Sequence, residues 1–196
     1  MQKRHTDRES YFDEQSQTSK NYYIPYIKEV IGHIPDKVLE VGCGEGGNLL
    51  PFAKAGCRVM GVDIDAMRIE QARAFFAQRH QQGQFIATDI FQLEDKATNF
   101  PLILLHDVIE HIRDKERFLS GLQKHLSADG AVFVGFPAWQ MPFGGHQQIA
   151  HSHIVSHFPF LHLLPRTLYR WILRLCGEQE LSLIHISEPT RLRCIS

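Results

Sequence analysis

Short apolar runs alternate along this chain with segments whose apolar residues recur every three or four positions. The runs at residues 38–41, 58–62 and 131–136 have the length and composition of buried β-strands. The amphipathic segments span residues 25–33, 66–80 and 115–126 and are predicted to be helices. Gly130 is predicted to end the last of these helices. Strands alternating with helices predict an α/β fold, in which a doubly wound and mostly parallel sheet carries a ligand at the carboxyl ends of its strands.

A glycine-rich turn follows the first apolar run and precedes a helix. Gly42, Gly44 and Gly47 fit the spacing G-x-G-x-x-G, whereas Gly42, Gly44 and Gly46 fit G-x-G-x-G, so the glycines alone do not choose a cofactor. Without a Cβ, such residues let backbone amides approach a ligand closely. The turn therefore predicts a site for a nucleotide-like cofactor.

Two acidic residues lie next to this turn. Glu40 comes two residues before the first glycine, where its charge would oppose a pyrophosphate and favour a cationic or zwitterionic ligand. Asp63 ends the second apolar run, at a distance suited to both hydroxyls of a ribose. Because Asp65 is the better cap for the following helix, Asp63 is left to bind the ligand.

With these motifs, the chain from about residue 22 to residue 136 resembles the class I S-adenosylmethionine-dependent methyltransferases that act on small molecules. Residues 84–90 are similar to the third strand of that family, and residues 100–111 are similar to its fourth strand and the following loop. The resemblance implies a Rossmann-like fold and S-adenosylmethionine as the cofactor, which has an amino group and a sulfonium but no phosphate.

The resemblance also implies roles for individual residues. Asp63 would bind the ribose, Ile64 would pack on the adenine, and Asp89 would accept the adenine amine. The full set of implied cofactor-binding residues is Glu40, Gly42, Gly44, Gly46, Asp63, Ile64, Asp89, Ile90, Asp107 and Tyr22. Tyr22 and Tyr23 would fold over the ligand, and packing of these rings on the sheet is an equal alternative.

The expected reaction is direct displacement of the sulfonium methyl group by a small-molecule acceptor, such as a glycan, a lipid or a quinone-like compound. If the acceptor is a hydroxyl, His111 or His146 would take its proton, since imidazole titrates near neutral pH. A purely structural His111 is the alternative. Two other functions stay open: a non-catalytic module that binds S-adenosylmethionine, and an NAD-dependent oxidoreductase, which would leave Glu40 and Asp89 unexplained.

The composition argues against some classes of binding partner. The chain has 21 Lys and Arg residues against 22 Asp and Glu residues, a balance that argues against general nucleic-acid binding. Its four cysteines are scattered, which favours neither a disulfide framework nor a zinc site, and the histidines after residue 145 match no metal pattern, so we expect no metal. With no leader and no long apolar run, a cytoplasmic location is expected; the oligomeric state is not predicted.

The chain divides into three parts. Residues 1–21 are polar and are expected to be mobile when no cofactor is bound, and residues 22–180 form the predicted methyltransferase domain. Residues 181–196 resemble a translated sequencing adaptor and are interpreted as a non-native tail. Under that interpretation the domain is incomplete at its C-terminus and lacks the last two strands of the family's sheet.

One segment near the end of the domain is a basic amphipathic helix, predicted at residues 165–176. Weak contact of this helix with an anionic membrane surface is one interpretation. The alternative is a helix that packs one face and exposes the other to solvent.

Overall fold

A computed structural model describes residues 7–93, 97–136, 142 and 152–178 of the chain. The chain divides into two compact units: Arg4–Phe136, and a smaller unit formed mainly by Pro137–Ser196. The larger unit contains the sheet and the glycine turn.

The larger unit is built on a five-stranded sheet with the strand order β3-β2-β1-β4-β5, and every neighbouring pair is parallel. The strands are β1 (Lys37–Val41), β2 (Arg58–Asp63), β3 (Gln84–Ala87), β4 (Phe100–His106) and β5 (Leu126–Gly135). The order reverses direction between β1 and β4, which opens a crevice at the carboxyl ends of these two strands. The predicted doubly wound α/β fold is confirmed.

Among its described residues, this unit has five α-helices beside the sheet: α1 (Arg8–Thr18), α2 (Ile24–Ile31), α3 (Leu50–Lys54), α4 (Ala66–Gln78) and α5 (Lys115–Leu122). A π-helical turn, Ser19–Tyr23, joins α1 to α2. Buried side chains form one cluster that includes Phe12, Phe52 and Phe76, and a second cluster that includes Ile103 and Phe118. Both clusters contain side chains of the sheet, as expected for strands that are covered by helices.

The helix predicted at residues 115–126 is wrong at its C-terminal end. It stops at Leu122, and Gly130 lies inside β5 instead of ending the helix. The Phe100 amide donates to the His125 carbonyl at 2.9 Å, and Phe100 pairs with Leu126, so the strand begins before a bulge that the sequence pattern does not reveal.

Helix α1 packs on the core although its sequence is polar. Phe12 is completely buried, with its ring centroid 4.9 Å from that of Phe75. On the surface, the Arg79 guanidinium contacts Asp13 at 2.9 Å and Glu9 at 3.2 Å. Residues 8–18 are therefore a docked helix, and the mobility of residues 1–21 in the absence of cofactor stays a prediction.

The smaller unit contains α6 (His153–His157) and α7 (Arg166–Leu175). Its buried cluster is formed by Val155, Leu161, Tyr169 and Leu173. Residues 179–196 lie outside the described part of the chain, so the non-native tail and the loss of two strands stay predictions. Within the described ranges, none of the helices is both long enough and apolar enough to cross a bilayer.

Replacing Phe12 with alanine should destabilise the larger unit by about 3–5 kcal/mol, because a buried aromatic side chain is lost and a cavity remains. Val30→Ala on α2 is the matched control, because Val30 is 65% exposed. Chemical denaturation would measure the free energy of unfolding of both variants. Equal stabilities of the two variants would show that α1 does not contribute to the folded core.

Candidate functional site

The glycine turn connects β1 to a short 3₁₀ turn, Gly47–Leu49, and then to α3. Gly42, Gly44 and Gly46 have φ values of 72°, 52° and 81°, a region that strains residues with a side chain. At Gly42 a Cβ would also lie 2.4 Å from a methyl group of Val108. The turn can therefore follow this path only with glycine at its first position.

Asp63 is fixed against this turn. Its Oδ2 accepts a hydrogen bond from the Gly44 amide at 2.8 Å, and its Oδ1 accepts one from the Asp65 amide at 2.9 Å. Asp65 caps α4 by accepting from the Met67 and Arg68 amides, as predicted. Each carboxylate oxygen of Asp63 has a further lone pair, so the side chain can still accept hydroxyl donors.

Glu40 is a buried carboxyl group with one unused oxygen. It is 1% exposed, and its Oε1 accepts from the Asn48 amide nitrogen at 2.7 Å, whereas Oε2 has no hydrogen-bond donor among the described residues. Burial raises its pKa to about 8, and Asp63 adds to this rise, against the opposing effects of the Asn48 hydrogen bond and Arg68. A cation next to Oε2 would stabilise the ionised form.

Two buried amide oxygens also lack a hydrogen-bond donor within the described ranges: Asn48 Oδ1 and Gln15 Oε1. Both residues line one cavity. Unused acceptors at one place favour a ligand that carries N–H donors, because a buried acceptor without a donor costs free energy.

Glu45, inside the glycine turn, is neutralised by two arginines. Its fully buried carboxylate lies 2.9 Å from the guanidinium of Arg8 on α1 and 2.9 Å from that of Arg68 on α4. Burial tends to lower the pKa of Arg68, but the hydrogen bonds and charge of Glu45 outweigh it and raise that pKa. The sequence analysis did not predict this cluster. The signal that could have revealed it is the charged residue between two glycines of the turn.

The ends of β2 and β3 form one side of the site. Asp63 pairs with Ala87, and the Thr88 amide donates to the Asp63 carbonyl at 2.9 Å, which brings residues 88–90 beside the end of β2. Ile64 is 81% exposed, whereas Ile90 is buried. Asp89 accepts from the Phe91 amide at 3.0 Å. The binding roles of Ile64, Asp89 and Ile90 stay predictions.

A cavity of about 220 Å³ lies on the other side of the site, near the ends of β1 and β4. Besides Gln15, its lining includes Tyr11, Glu14, Tyr23, Asn48, His106 and Asp107. The Tyr23 ring lies 4.9 Å from Phe133 and 5.5 Å from His106, measured between centroids. Burial, with the charges of Asp107 and Glu40, raises the pKa of Tyr23 to about 12, so its phenol is neutral near pH 7.

The structure brings only some of the predicted site residues to this cavity. It brings Asp107 to the cavity but leaves Tyr22 69% exposed, and Tyr23 is the tyrosine in the cavity wall. His111 is exposed in a 3₁₀ turn, Ile109–His111, and does not line this cavity. His146 lies outside the described residues. The assigned roles of Tyr22, His111 and His146 stay predictions.

Comparison with known proteins agrees with this geometry. The chain superposes on the plantazolicin methyltransferase bound to SAH with a TM-score of 0.54, at 22% identity over 67% of this chain and 50% of that one. An S-adenosylmethionine-dependent methyltransferase from Clostridium acetobutylicum gives a TM-score of 0.55 at 17% identity, over 62% and 51% of the two chains. Because both sequence identities are below 25%, these superpositions show only that the fold is shared. Residues 39–132 match the model of a family described as a methyltransferase domain. This match covers a little under half of the chain and agrees with the parallel sheet of the larger unit.

Curated proteins that are similar to this chain include two ubiquinone biosynthesis O-methyltransferases. The protein from Bartonella quintana is 32% identical over 118 residues, which cover 58% of this chain and 48% of that protein. The protein from Brucella ovis is 33% identical over 98 residues, which cover 50% and 40%. The chain thus spans about half the length or less of the curated relatives that it matches.

The raised pKa of Glu40 predicts how the stability of the larger unit depends on pH. Between the unfolded pKa near 4.5 and the folded pKa of about 8, the native state holds a proton that the unfolded state has lost. The free energy of unfolding should therefore fall as pH rises through this window. Glu40→Gln keeps an acceptor for Asn48 but cannot ionise, so its stability should change less with pH.

Chemical denaturation at about pH 5 and about pH 8 would measure this difference. Glu29→Gln on α2 is the matched control, because Glu29 is exposed. The control should retain the wild-type pH dependence. If Glu40→Gln also retained it, Glu40 would already be ionised in the folded domain at neutral pH.

Proposed function

We propose that this domain binds S-adenosylmethionine and transfers its methyl group to a small-molecule acceptor. The observation that carries the proposal is the buried Glu40 carboxyl group near the end of β1, which has an oxygen without a hydrogen-bond donor among the described residues. A carboxylate in that position suits a ligand with a positive charge and opposes one with phosphates. S-adenosylmethionine has a sulfonium and an ammonium group and fits this requirement.

The arrangement of the site supports one orientation of the cofactor along the sheet. Asp63, at the end of β2, would hold the ribose, and Ile64 with Asp89 would hold the adenine. The methionyl part would then extend toward the ends of β1 and β4, where Glu40 and the unused oxygen of Asn48 would receive its ammonium group. This orientation places the methyl group near the 220 Å³ cavity.

Catalysis in this proposal depends mainly on position and desolvation. The cofactor supplies an electrophilic methyl group on its sulfonium. The chain would hold the acceptor in the cavity, exclude water from the reacting atoms and keep them in line. The neutral phenol of Tyr23 and the ring of Tyr11 offer flat walls for an aromatic acceptor.

Among small molecules, a quinone-like acceptor with a phenolic hydroxyl is favoured over a glycan or a lipid. The relatives from Bartonella quintana and Brucella ovis are named for ubiquinone biosynthesis, and they transfer methyl groups to oxygen according to the same name. The tyrosines of the cavity agree with a ring-shaped acceptor. A cytoplasmic location is part of this proposal.

Calorimetric titration with S-adenosylhomocysteine, and with NAD as the comparator, tests the cofactor. We expect saturable binding of the first compound alone, and circular dichroism of the same sample would confirm folding. Binding without methyl transfer to a pool of phenols, glycans and lipids would favour the non-catalytic module. A folded domain that binds NAD and ignores S-adenosylhomocysteine would favour an oxidoreductase and contradict the proposal.

Asp63→Asn should weaken the binding of S-adenosylhomocysteine by about 10- to 100-fold, because one charged acceptor for the ribose hydroxyls is lost. Asp36→Asn is the control. Asp36 is exposed at the opposite ends of the strands, where it pairs with Arg58 at 2.8 Å. An unchanged affinity of the Asp63 variant in the same titration would remove this residue from the cofactor site.

We also propose weak contact of α7 with an anionic membrane surface. Leu168, Trp171 and Leu175 form an exposed apolar stripe, with exposed fractions of 43%, 59% and 67%. Arg170 and Arg174 are exposed on the same helix. Apolar side chains flanked by arginines suit an interface with acidic headgroups.

Sedimentation with vesicles of phosphatidylcholine, with and without phosphatidylglycerol, tests this contact. We expect binding only to the anionic vesicles and a loss of most of that binding in Trp171→Ala. Leu119→Ala on α5, where Leu119 is 37% exposed, should bind like the wild type. Equal binding to neutral vesicles, or none to either kind, would contradict the proposal.

A further inference from the structure

His106 stands at the carboxyl end of β4, in the wall of the 220 Å³ cavity. Its side chain is 21% exposed, and its Nδ1 lies 3.6 Å from Oδ2 of Asp107. The ring also packs against β5, since a Cβ on Gly135 would lie only 3.0 Å from its Cδ2. The ring is thus held between Tyr23, Asp107 and β5, with Nε2 as the nitrogen that remains to take a proton.

The backbone of Asp107 supports a functional reason for this arrangement. Its φ is 54°, in the left-handed region that residues with a side chain seldom adopt. The conformation is held by a hydrogen bond of 2.9 Å from its amide to the Gly135 carbonyl. Such strained residues cluster at functional sites, and here the strain keeps a carboxylate next to an imidazole.

We propose that His106 is the general base that takes the proton of a phenolic hydroxyl on the acceptor. This inference rests on the proposed function and specifies the reacting atom of the acceptor as oxygen. Asp107 acts as a positioning residue that orients the ring and stabilises the imidazolium, as a carboxylate does for other catalytic histidines.

The step balances in atoms and charge. The acceptor oxygen forms a bond to the methyl carbon while the carbon–sulfur bond breaks, and that electron pair stays on sulfur. The hydroxyl proton moves to Nε2 of His106, which becomes imidazolium. The products are a methyl ether and a neutral thioether, and the imidazolium returns its proton to water.

Other titratable groups face the same cavity. Tyr11 and Glu14 come from α1, Tyr23 comes from the π-helical turn, and Asp107 follows β4. Because the pKa of Tyr23 is raised to about 12, its phenol keeps its own proton near neutral pH and cannot accept another. Glu14 is therefore the competing base, and the test includes it.

The first measurement follows a phenol whose ionisation is visible. 4-Nitrocatechol is added to the domain saturated with S-adenosylhomocysteine, and its absorbance is recorded across pH. We expect the bound phenol to ionise at a lower pH than the free phenol, because its proton moves to His106. This shift should disappear in His106→Gln and persist in Glu14→Gln and in His33→Gln, a control at an exposed histidine.

The second measurement is turnover of a catechol as a function of pH. We expect His106→Gln to lower kcat by about 10²-fold or more, with S-adenosylhomocysteine affinity unchanged, and to remove the rise of kcat with pH. Glu14→Gln should keep that rise.

A rise that disappears in Glu14→Gln but not in His106→Gln would overturn the assignment. A wild-type domain that binds S-adenosylhomocysteine but does not bind the nitrocatechol would also overturn it, and would leave the proposed cofactor function standing. Failure to bind S-adenosylhomocysteine would instead contradict the proposed function itself.

Discussion

The ion cluster of Glu45 with Arg8 and Arg68 is the interaction on which the site most depends. A fully buried carboxylate is stable only if its charge is compensated, and here the compensation comes from two helices that are distant in sequence. The glycine turn is thereby tied to α1 on one side and to α4 on the other. Loss of either arginine would leave part of a buried charge without a partner, next to the place where the cofactor is proposed to bind.

Three buried acids at this end of the sheet are stabilised in three ways. Glu45 is paired with arginines, and Asp63 accepts backbone amides. Glu40 has one amide donor and one oxygen that meets no donor in the part of the chain that the structure describes. Burial raises the pKa of Glu40 to about 8. Its environment is therefore the one that a bound cation would change most.

Much of the fold followed from the sequence because strands and helices alternate with clear patterns. The roles of Asp65 as a cap and of Gly42, Gly44 and Gly46 as a turn depend on local geometry, which neighbouring residues determine. The cluster at Glu45 and the docking of α1 could not be predicted in this way. Helix α1 has a single fully buried apolar residue, Phe12, so its apolar periodicity is too weak to reveal a packed face.

The early end of α5 was missed for a related reason. Leu126 continues the helical spacing of Phe118 and Leu122, but its pairing with Phe100 across the sheet outweighs that local pattern. Likewise, the identity of the tyrosine in the cavity wall depends on the π-helical turn, and His106 gains its neighbours only when β4 and β5 pair. These are long-range effects that one sequence does not display.

The π-helical turn at Ser19–Tyr23 determines which side of α1 faces the cavity. A π turn holds one residue more than an α-helical turn, so removing a single residue there would rotate everything before it by about 100° relative to α2. Arg8 would then turn away from Glu45 and Phe12 would leave the core, while a different set of α1 side chains would face the cavity. The length of this segment therefore sets both which side chains of α1 line the cavity and which ones anchor the helix to the glycine turn and the core.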